Sequence, residues 1–305
     1  MKENKKILVV GSANTDLVIS ADHFPQPGET MFGHGFMTNH GGKGANQAVA
    51  AARLGGDTAF IGKVGDDQFG NSTIDMLRGE GIDVSALKVT AEAPSGVAII
   101  TTIDSGENNI VLDSGANACL TAADVREAEA LFADASIVLM QLETPVEALV
   151  EAAALGKKAG AYVVLNPAPA PKEPLPEALL KNVDLLIPNE TEASYIAGIE
   201  VKGEDDIPAA MDEIQKLGVK DVIITVGSKG VCARLDGELI RVPAFKVKAV
   251  DTTAAGDTFC GALCVALSQG KSLPDAILFG NKAASISVTR RGAQMSMPHL
   301  DEVEL

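Results

Sequence analysis

The chain of 305 residues contains no tryptophan, and its two tyrosines and nine phenylalanines bring aromatics to only 4 %. A core is still available, because 46 % of the residues are hydrophobic. It must be built from Ala, Val, Ile and Leu. Basic residues are also scarce: 25 Lys and Arg stand against 41 Asp and Glu, a formal charge of −16. That deficit argues against nucleic acid and anionic membranes as partners, since nothing is left over to neutralise phosphates. An anionic substrate needs a local site rather than long-range steering. No run of eighteen apolar residues occurs, so no membrane span is expected. The apolar run in MKENKKILVVG is too short for a signal peptide. None of the four cysteines, Cys119, Cys232, Cys260 and Cys264, forms a C-x-x-C pair. Cys260 and Cys264 share a helix face, which fits packing rather than metal binding. Reduced thiols in a cytoplasmic protein are expected.

Two common glycine motifs are missing as well. Gly270-Lys271-Ser272 supplies the end of a Walker A loop, but its first glycine would fall on Val265. Gly42-x-Gly44 opens a dinucleotide fingerprint, but Gln47 stands where the third glycine belongs. P-loop NTPases and NAD dehydrogenases are therefore disfavoured. Linkers, low-complexity segments and internal repeats are absent too.

What is present is an alternation of short apolar strands and helices. Strands are expected at Ile7–Val10, Thr58–Gly62, Ile137–Met140, Tyr162–Leu165, Leu185–Ile187 and Val222–Thr225. Helices are expected at Ala45–Leu54, Phe69–Leu77, Thr121–Phe132 and Val146–Lys158. This pattern gives an α/β fold whose mainly parallel sheet is covered on both faces. Sites in such folds lie beyond the carboxyl ends of the strands, where Asn166, Asn189 and Gly227 fall. Two segments break the alternation. Leu17–Ser20 with Met31–Thr38, and Val97–Ile103 with Asn108–Leu112, read as hairpins without helices. One domain over 1–305 is expected, with hairpins at about 14–40 and 96–113 forming a small sheet. That sheet is a candidate lid, a dimerisation surface, or both.

The string DTTAAGDTFCGAL, 251–263, is the most informative. Phe259, Ala262, Leu263, Ala266 and Leu267 recur at helical spacing, and Gly270 is a stop. Ala254, Ala255, Gly256 and Asp257 then lie at the helix start, where backbone N–H groups lack partners and the dipole is positive. Asp257 alone could be a first-turn acid favoured by the dipole. The bare Ala-Ala-Gly run before it fits an anion hole with a carboxylate beside it.

Four further loops are polar or glycine-rich. In GGKGANQAVAAARLG, 41–55, Gly42, Lys43 and Asn46 open a helix and suit a hydroxyl-rich ligand; a tight turn with a solvated lysine is the plainer reading. In GSANTD, Asn14 and Asp16 leave the first strand, and a carboxylate can accept from two neighbouring hydroxyls; an Asx turn is the alternative. In PNETEA, Asn189 and Glu192 could hold Mg²⁺ through water near a phosphate, or simply cap a helix. In TVGSKG, Thr225, Gly227, Ser228 and Gly230 permit close backbone approach, or form a plain hairpin.

Taken together, GGKGANQAVAA and DTTAAGDTF resemble the two signatures of the PfkB-type, or ribokinase, family of sugar kinases. NPAPA, PNETEA and TRRGAQ resemble its ribose-phosphorylating branch. The resemblance covers nearly the whole chain. It implies a ribokinase-like sandwich of about nine strands with a small β-sheet lid that often serves as the dimer interface. It implies transfer of the γ-phosphoryl of ATP to O5 of D-ribose, with Mg²⁺ and K⁺ as cofactors. Asp257 would be the catalytic base. Asn14, Asp16, Gly42, Lys43, Asn46 and Glu143 would bind the sugar. Asn189, Thr225, Gly227, Ser228, Gly230, Gly256 and Asn281 would line the nucleotide site, with Asn281 standing where the family often has His. Asp251, Thr253, Ser287, Arg290, Gly292 and Ser296 match the monovalent-cation positions, several through backbone carbonyls. Competing readings are a kinase of the same fold for fructose, deoxyribose, a ketodeoxy acid or a nucleoside, and a non-catalytic binding protein. The intact Asp257 and its anion hole argue against the last.

Overall fold

The computed structural model describes residues 6–105, 107–235 and 237–304. The chain begins with β1 (Lys6–Val10), then runs through β2 (Asn14–Ala21) and β3 (His34–Gly41). Helix α1 (Lys43–Arg53) follows, then β4 (Thr58–Gly65), α2 (Gln68–Gly79) and β5 (Asp83–Thr90). A second excursion gives β6 (Gly96–Ile103) and β7 (Asn108–Asp113). Next come α3 (Ala122–Glu127), α4 (Glu129–Asp134), β8 (Ala135–Met140), α5 (Val146–Ala159), β9 (Tyr162–Leu165) and α6 (Glu177–Leu180). The chain continues with β10 (Leu185–Leu186), α7 (Glu190–Ala197), α8 (Ile207–Lys216), β11 (Asp221–Thr225), β12 (Val231–Leu235) and β13 (Glu238–Val242). It closes with α9 (Ala255–Ser268) and α10 (Leu273–Ser287).

Nine strands form one sheet in the order β13-β12-β11-β10-β9-β8-β1-β4-β5. Every pair from β11 to β5 is parallel, and only β12 and β13 run antiparallel at one edge. Central strands such as β8 are buried along their whole length, which is why they read as continuous apolar runs. Ile7 and Val9 face one layer, made by α1, α2, α9 and α10. Leu8 and Val10 face the other, made by α3 to α8. The expected helix over Thr121–Phe132 is instead two short helices that meet at Ala128. β5 carries no expectation from the sequence, because its alternating pattern, DVSALKVT, is only partly buried.

The other four strands form a separate sheet, β3-β2-β6-β7. Its base lies at the carboxyl end of β1, where Asn14 pairs with both Gly41 and Gly96. All six residues of β7 are exposed, including Ile110, Val111 and Leu112.

The contact that fixes the site is the crossing of α1 and α9. A Cβ at Gly261 would sit 2.7 Å from the Ala50 Cβ and 2.7 Å from the Gln47 carbonyl oxygen. The two helices therefore touch backbone to backbone, and Asp257, one turn before Gly261, is delivered to the first turns of α1. Replacing a helical glycine by alanine ordinarily gains about 1 kcal/mol. Here the overlap is with a rigid neighbour, and overpacking costs about 1–3 kcal/mol. Gly261→Ala should lower the midpoint of denaturant unfolding. A raised midpoint would show that α9 can slide off α1 without loss.

Candidate active site

Asp257 lies in the first turn of α9 and is only 6 % exposed. Its Oδ2 accepts from Asn46 Nδ2 at 3.1 Å and its Oδ1 from Gln47 Nε2 at 2.9 Å. Burial pushes its carboxyl up, and Lys43, Gln47 and Asn46 oppose that, while Glu143 adds to it. The residue before α9, Ala254, has φ 58°, the one positive φ outside glycine among the described residues. Such strain persists only where the surroundings hold it, and it turns the start of α9 toward the cavity. The Ala255 N–H donates to the Thr252 carbonyl at 3.2 Å. The N–H groups of Gly256 and Asp257 belong to the first helical turn and have no intrahelical acceptor. A Cβ on Gly256 would meet nothing within 4 Å, so the space above this turn is open.

That space is a cavity of about 210 Å³. Of the residues expected in the site, Lys43, Asn189, Glu192, Thr225, Ala254, Ala255, Gly256 and Asp257 line it. Burial disfavours the Lys43 ammonium, but Asp257, Glu143 and Glu192 around it outweigh that and hold its pKa above the ordinary value. Burial pushes Glu192 up against the opposing pull of the Asn189 N–H and Lys43. Asn189 and Glu192 form a reciprocal cap on α7, with N–H to oxygen distances of 2.8 and 2.9 Å. The capping reading of PNETEA is thus realised, and the same pair faces the cavity. Among the described residues no group of three His, Cys, Asp or Glu side chains could hold a metal ion.

The sugar-side candidates gather at the base of the small sheet. Ser12 Oγ and the Lys43 N–H donate to Glu143 Oε2 at 2.6 and 3.0 Å. Asn14 is buried, and its Oδ1 accepts from Asn117 Nδ2 at 2.7 Å. A Cβ at Gly41 would strike the Asp16 carboxylate, so bare backbone gives that side chain its room. Burial first, and then the charge of Glu143, push Asp16 up to about 6. Gly42 precedes α1 with φ 87° and no room for a Cβ beside Ala13 and Asn14. The glycines of GGKGAN are therefore needed to seat α1 against the exit of β1.

Four nucleotide-side candidates stand apart from the cavity. Gly227 and Ser228 are exposed in the short turn between β11 and β12. A Cβ at Gly230 would meet the Val242 carbonyl and the Ala244 N–H, so strand packing accounts for that glycine. Asn281 is buried on α10, and its Nδ2 is 3.3 Å from the carbonyls of Val242 and Pro243. The cation candidates surround one loop. Asp251 Oδ1 accepts from the Thr253 N–H and Oγ1 at 2.9 and 2.6 Å, and its Oδ2 from the Gly292 N–H at 2.9 Å. Burial raises Asp251, but these hydrogen bonds win and hold it below the usual range. The hydroxyls of Ser287 and Ser296 donate to Ala284 and Ala293 carbonyls, and Arg290 pairs with Glu302. Any cation here would meet backbone carbonyls rather than those side chains.

Several residues of the site carry no expectation from the sequence. Ser12, Gln47, Asn117, Gln141 and Gln294 are buried polar groups bonded to the candidates named above or to one another. Gln47 sits within the GGKGANQ string, and Gln141 directly follows β8 as the expected Asn166, which lines the cavity, follows β9. Those positions were the available signal.

Residues 4–300 match the profile of the pfkB family carbohydrate kinases. The chain is 46 % identical over 298 residues to the ribokinase of Haemophilus influenzae, covering 98 % of this chain and 97 % of the relative. It is 41 % identical over 300 residues to the ribokinase of Staphylococcus aureus, covering 98 % of each. The solved structure of Arabidopsis thaliana ribokinase complexed with ribose and ATP superposes with a TM-score of 0.89 at 36 % identity, over 97 % of this chain and 96 % of that one. A match of this extent agrees with a buried carboxylate at an open helix start: the chain belongs to the pfkB family of carbohydrate kinases.

Proposed function

We propose that the protein is an ATP-dependent sugar kinase that phosphorylates D-ribose at O5, with Asp257 as the base. The observation that carries the mechanism is the Asp257 carboxylate, held by Asn46 and Gln47 at the mouth of α9 with Lys43 across the same cavity. The full-length similarity to ribokinases supports ribose as the acceptor.

Phosphoryl transfer needs positioning and charge neutralisation more than covalent help from the protein. Asp16, Asn14, Lys43, Asn46 and Glu143 hold the sugar so that its O5 hydroxyl meets Asp257. O5 attacks the γ-phosphorus, and the bond from that phosphorus to the β,γ-bridging oxygen breaks. The O5 proton passes to Asp257, and ADP leaves. The N–H groups of Gly256 and Asp257 face the charge that grows on the transferred group. Thr225 and Asn189 flank the phosphates; Gly227, Ser228, Gly230 and Asn281 shape the outer nucleotide site. A divalent ion such as Mg²⁺, reached by Glu192 and Asn189 through water, would neutralise the β- and γ-oxygens. The small sheet closes over the sugar and excludes water, which suppresses ATP hydrolysis. Its exposed Ile99, Ile110, Val111 and Leu112 support a homodimer through this sheet. Four free cysteines, three of them buried, support a reducing cytoplasm.

Asp257→Asn keeps the size and one of the two accepted hydrogen bonds, sets an NH₂ group against the other donor, and removes the proton acceptor. Turnover with ribose should fall by about 10²–10⁴, while melting temperature and calorimetric binding of ribose and ATP persist. A loss below tenfold in a folded variant would reduce Asp257 to a dipole-favoured acid.

Asp16 should make ribose affinity pH-dependent. Only its carboxylate accepts two sugar hydroxyls, so affinity should weaken as pH falls through about 6. Asp16→Ala leaves those hydroxyls unpaired, at about 1–3 kcal/mol, or about one to two decades in affinity. ATP binding should not change. Stability runs the other way. The folded pKa lies above the unfolded one, so the native state binds more protons, and stability falls as pH rises from about 4 to 6. Asp16→Asn should therefore melt higher than wild type at neutral pH and no higher near pH 4. Equal melting curves at both pH values, or parallel loss of ATP and ribose binding, would contradict this.

The loop of Asp251 and residues 287–296 offers oxygen donors of the kind that replace the hydration shell of K⁺. A cation there would fix the segment leading into the anion hole. Activity should be higher in K⁺ than in Na⁺ or in Tris alone. Equal rates in the three buffers would remove this part of the proposal.

A further inference from the structure

Gln47 is fully buried, carries no charge and does not line the cavity, yet it makes the shortest hydrogen bond to Asp257. Its Nε2 donates to Asp257 Oδ1 at 2.9 Å and to Asn166 Oδ1 at 3.0 Å. Its Oε1 accepts from Gln141 Nε2 at 2.6 Å. Asn166 in turn donates to the Ile187 carbonyl at 2.8 Å. A flipped Gln47 amide would point oxygen at a carboxylate and at a carbonyl oxygen, and nitrogen at the Gln141 NH₂ group. The Asp257 carboxylate and the Asn166 carbonyl oxygen, itself fixed by the Asn166 bond to Ile187, thus permit one orientation only. The chain of amides runs along the carboxyl ends of β8, β9 and β10, so it anchors Asp257 to the rigid sheet rather than to a loop.

The second donor to Asp257 differs in kind. Asn46 donates to Oδ2 and accepts from Gln294 Nε2 at 3.1 Å. In the proposed reading Asn46 also binds the sugar, so its bond to Asp257 is open to exchange during the cycle. Gln47 has no substrate to serve and its bond is permanent.

We infer that Gln47 is the positioning residue of the reaction: through the Gln141–Gln47–Asn166 amide chain it fixes the rotamer of Asp257 and keeps a hydrogen-bond donor on its Oδ1 between turnovers. This rests on Asp257 being the base. The other charged and titratable groups facing Asp257 are Lys43 on α1, Glu143 after β8, Glu192 on α7 and Cys260 one turn along α9. All of them remain when Gln47 is changed. Removing the N–H that Gln47 donates to the charged form raises the proton affinity of Asp257.

The test compares Gln47→Met and Gln47→Glu with wild type and with Asp257→Asn. Met keeps an unbranched chain of similar length and removes both donors and the acceptor. Glu keeps the acceptor for Gln141 and sets a second carboxyl against Asp257, a pair that resists double ionisation. For Gln47→Met, kcat should fall about 10–100-fold, with calorimetric affinities for ribose and ATP and both KM values within about threefold. The acid limb of the kcat–pH profile should move to higher pH in Gln47→Met and further in Gln47→Glu. If Gln47→Met does not fold, Gln47→Glu carries the same test of the limb. An unmoved limb in folded variants, a kcat loss matched by loss of ligand affinity, or failure of both variants to fold would make Gln47 a structural residue and overturn the inference. Full turnover by Asp257→Asn would instead sink the base assignment itself, so the two failures are separable.

Discussion

One close approach organises the active site: α9 rests on α1 with no side chain between them at Gly261. That contact sets a buried carboxylate, Asp257, on two carboxamides of α1, Asn46 and Gln47. An ionised carboxylate away from water is costly unless it is paired and hydrogen-bonded. Here two amides and Lys43 offset part of that cost, and burial still holds the carboxyl above its ordinary value. Each of these depends on the helices meeting at this distance. A displacement of about 1 Å is enough to lose about a hundredfold in rate in comparable settings.

The charge that matters at the site is local rather than global. The molecule carries −16, yet the centre of the site is a cation, Lys43, surrounded by Asp257, Glu143 and Glu192. Three acids thus stand around one ammonium. Bringing a triphosphate into the site therefore calls for further positive charge, which is the physical reason a divalent ion accompanies ATP in kinases of this class. It also explains why uncharged donors, Gln47, Asn46 and the helix N–H groups, do the holding: another lysine or arginine would collapse onto Asp257.

The architecture was open to sequence reasoning because its signals are local. The run ILVV of β1, the small-residue helix of α1 and the two hairpins of the second sheet all follow from periodicity and turn chemistry. Asp257 stood out because Ala-Ala-Gly before a helix has little structural use. The positive φ of Ala254 was not legible, since alanine does not ordinarily adopt it. The amide network was also hidden. Gln47 meets Asp257 across 210 residues and Asn166 across 119, and Gln294 meets Asn46 across 248. Such pairings are set by the fold and leave no spacing to read. Glycine is ambiguous from sequence: Gly230 reads as room for a ligand, and a Cβ there would also strike residues 242–244.

The most direct measurement is product identification. The purified protein is incubated with ribose, ATP, Mg²⁺ and K⁺, ADP release is followed by a coupled assay, and the sugar ester is assigned by ³¹P–¹H NMR. Stoichiometric ADP and a phosphate coupled to the C5 methylene protons are the expected result. ADP release with fructose, deoxyribose or a nucleoside but not ribose, or an ester on another ribose oxygen, would contradict the proposed reaction.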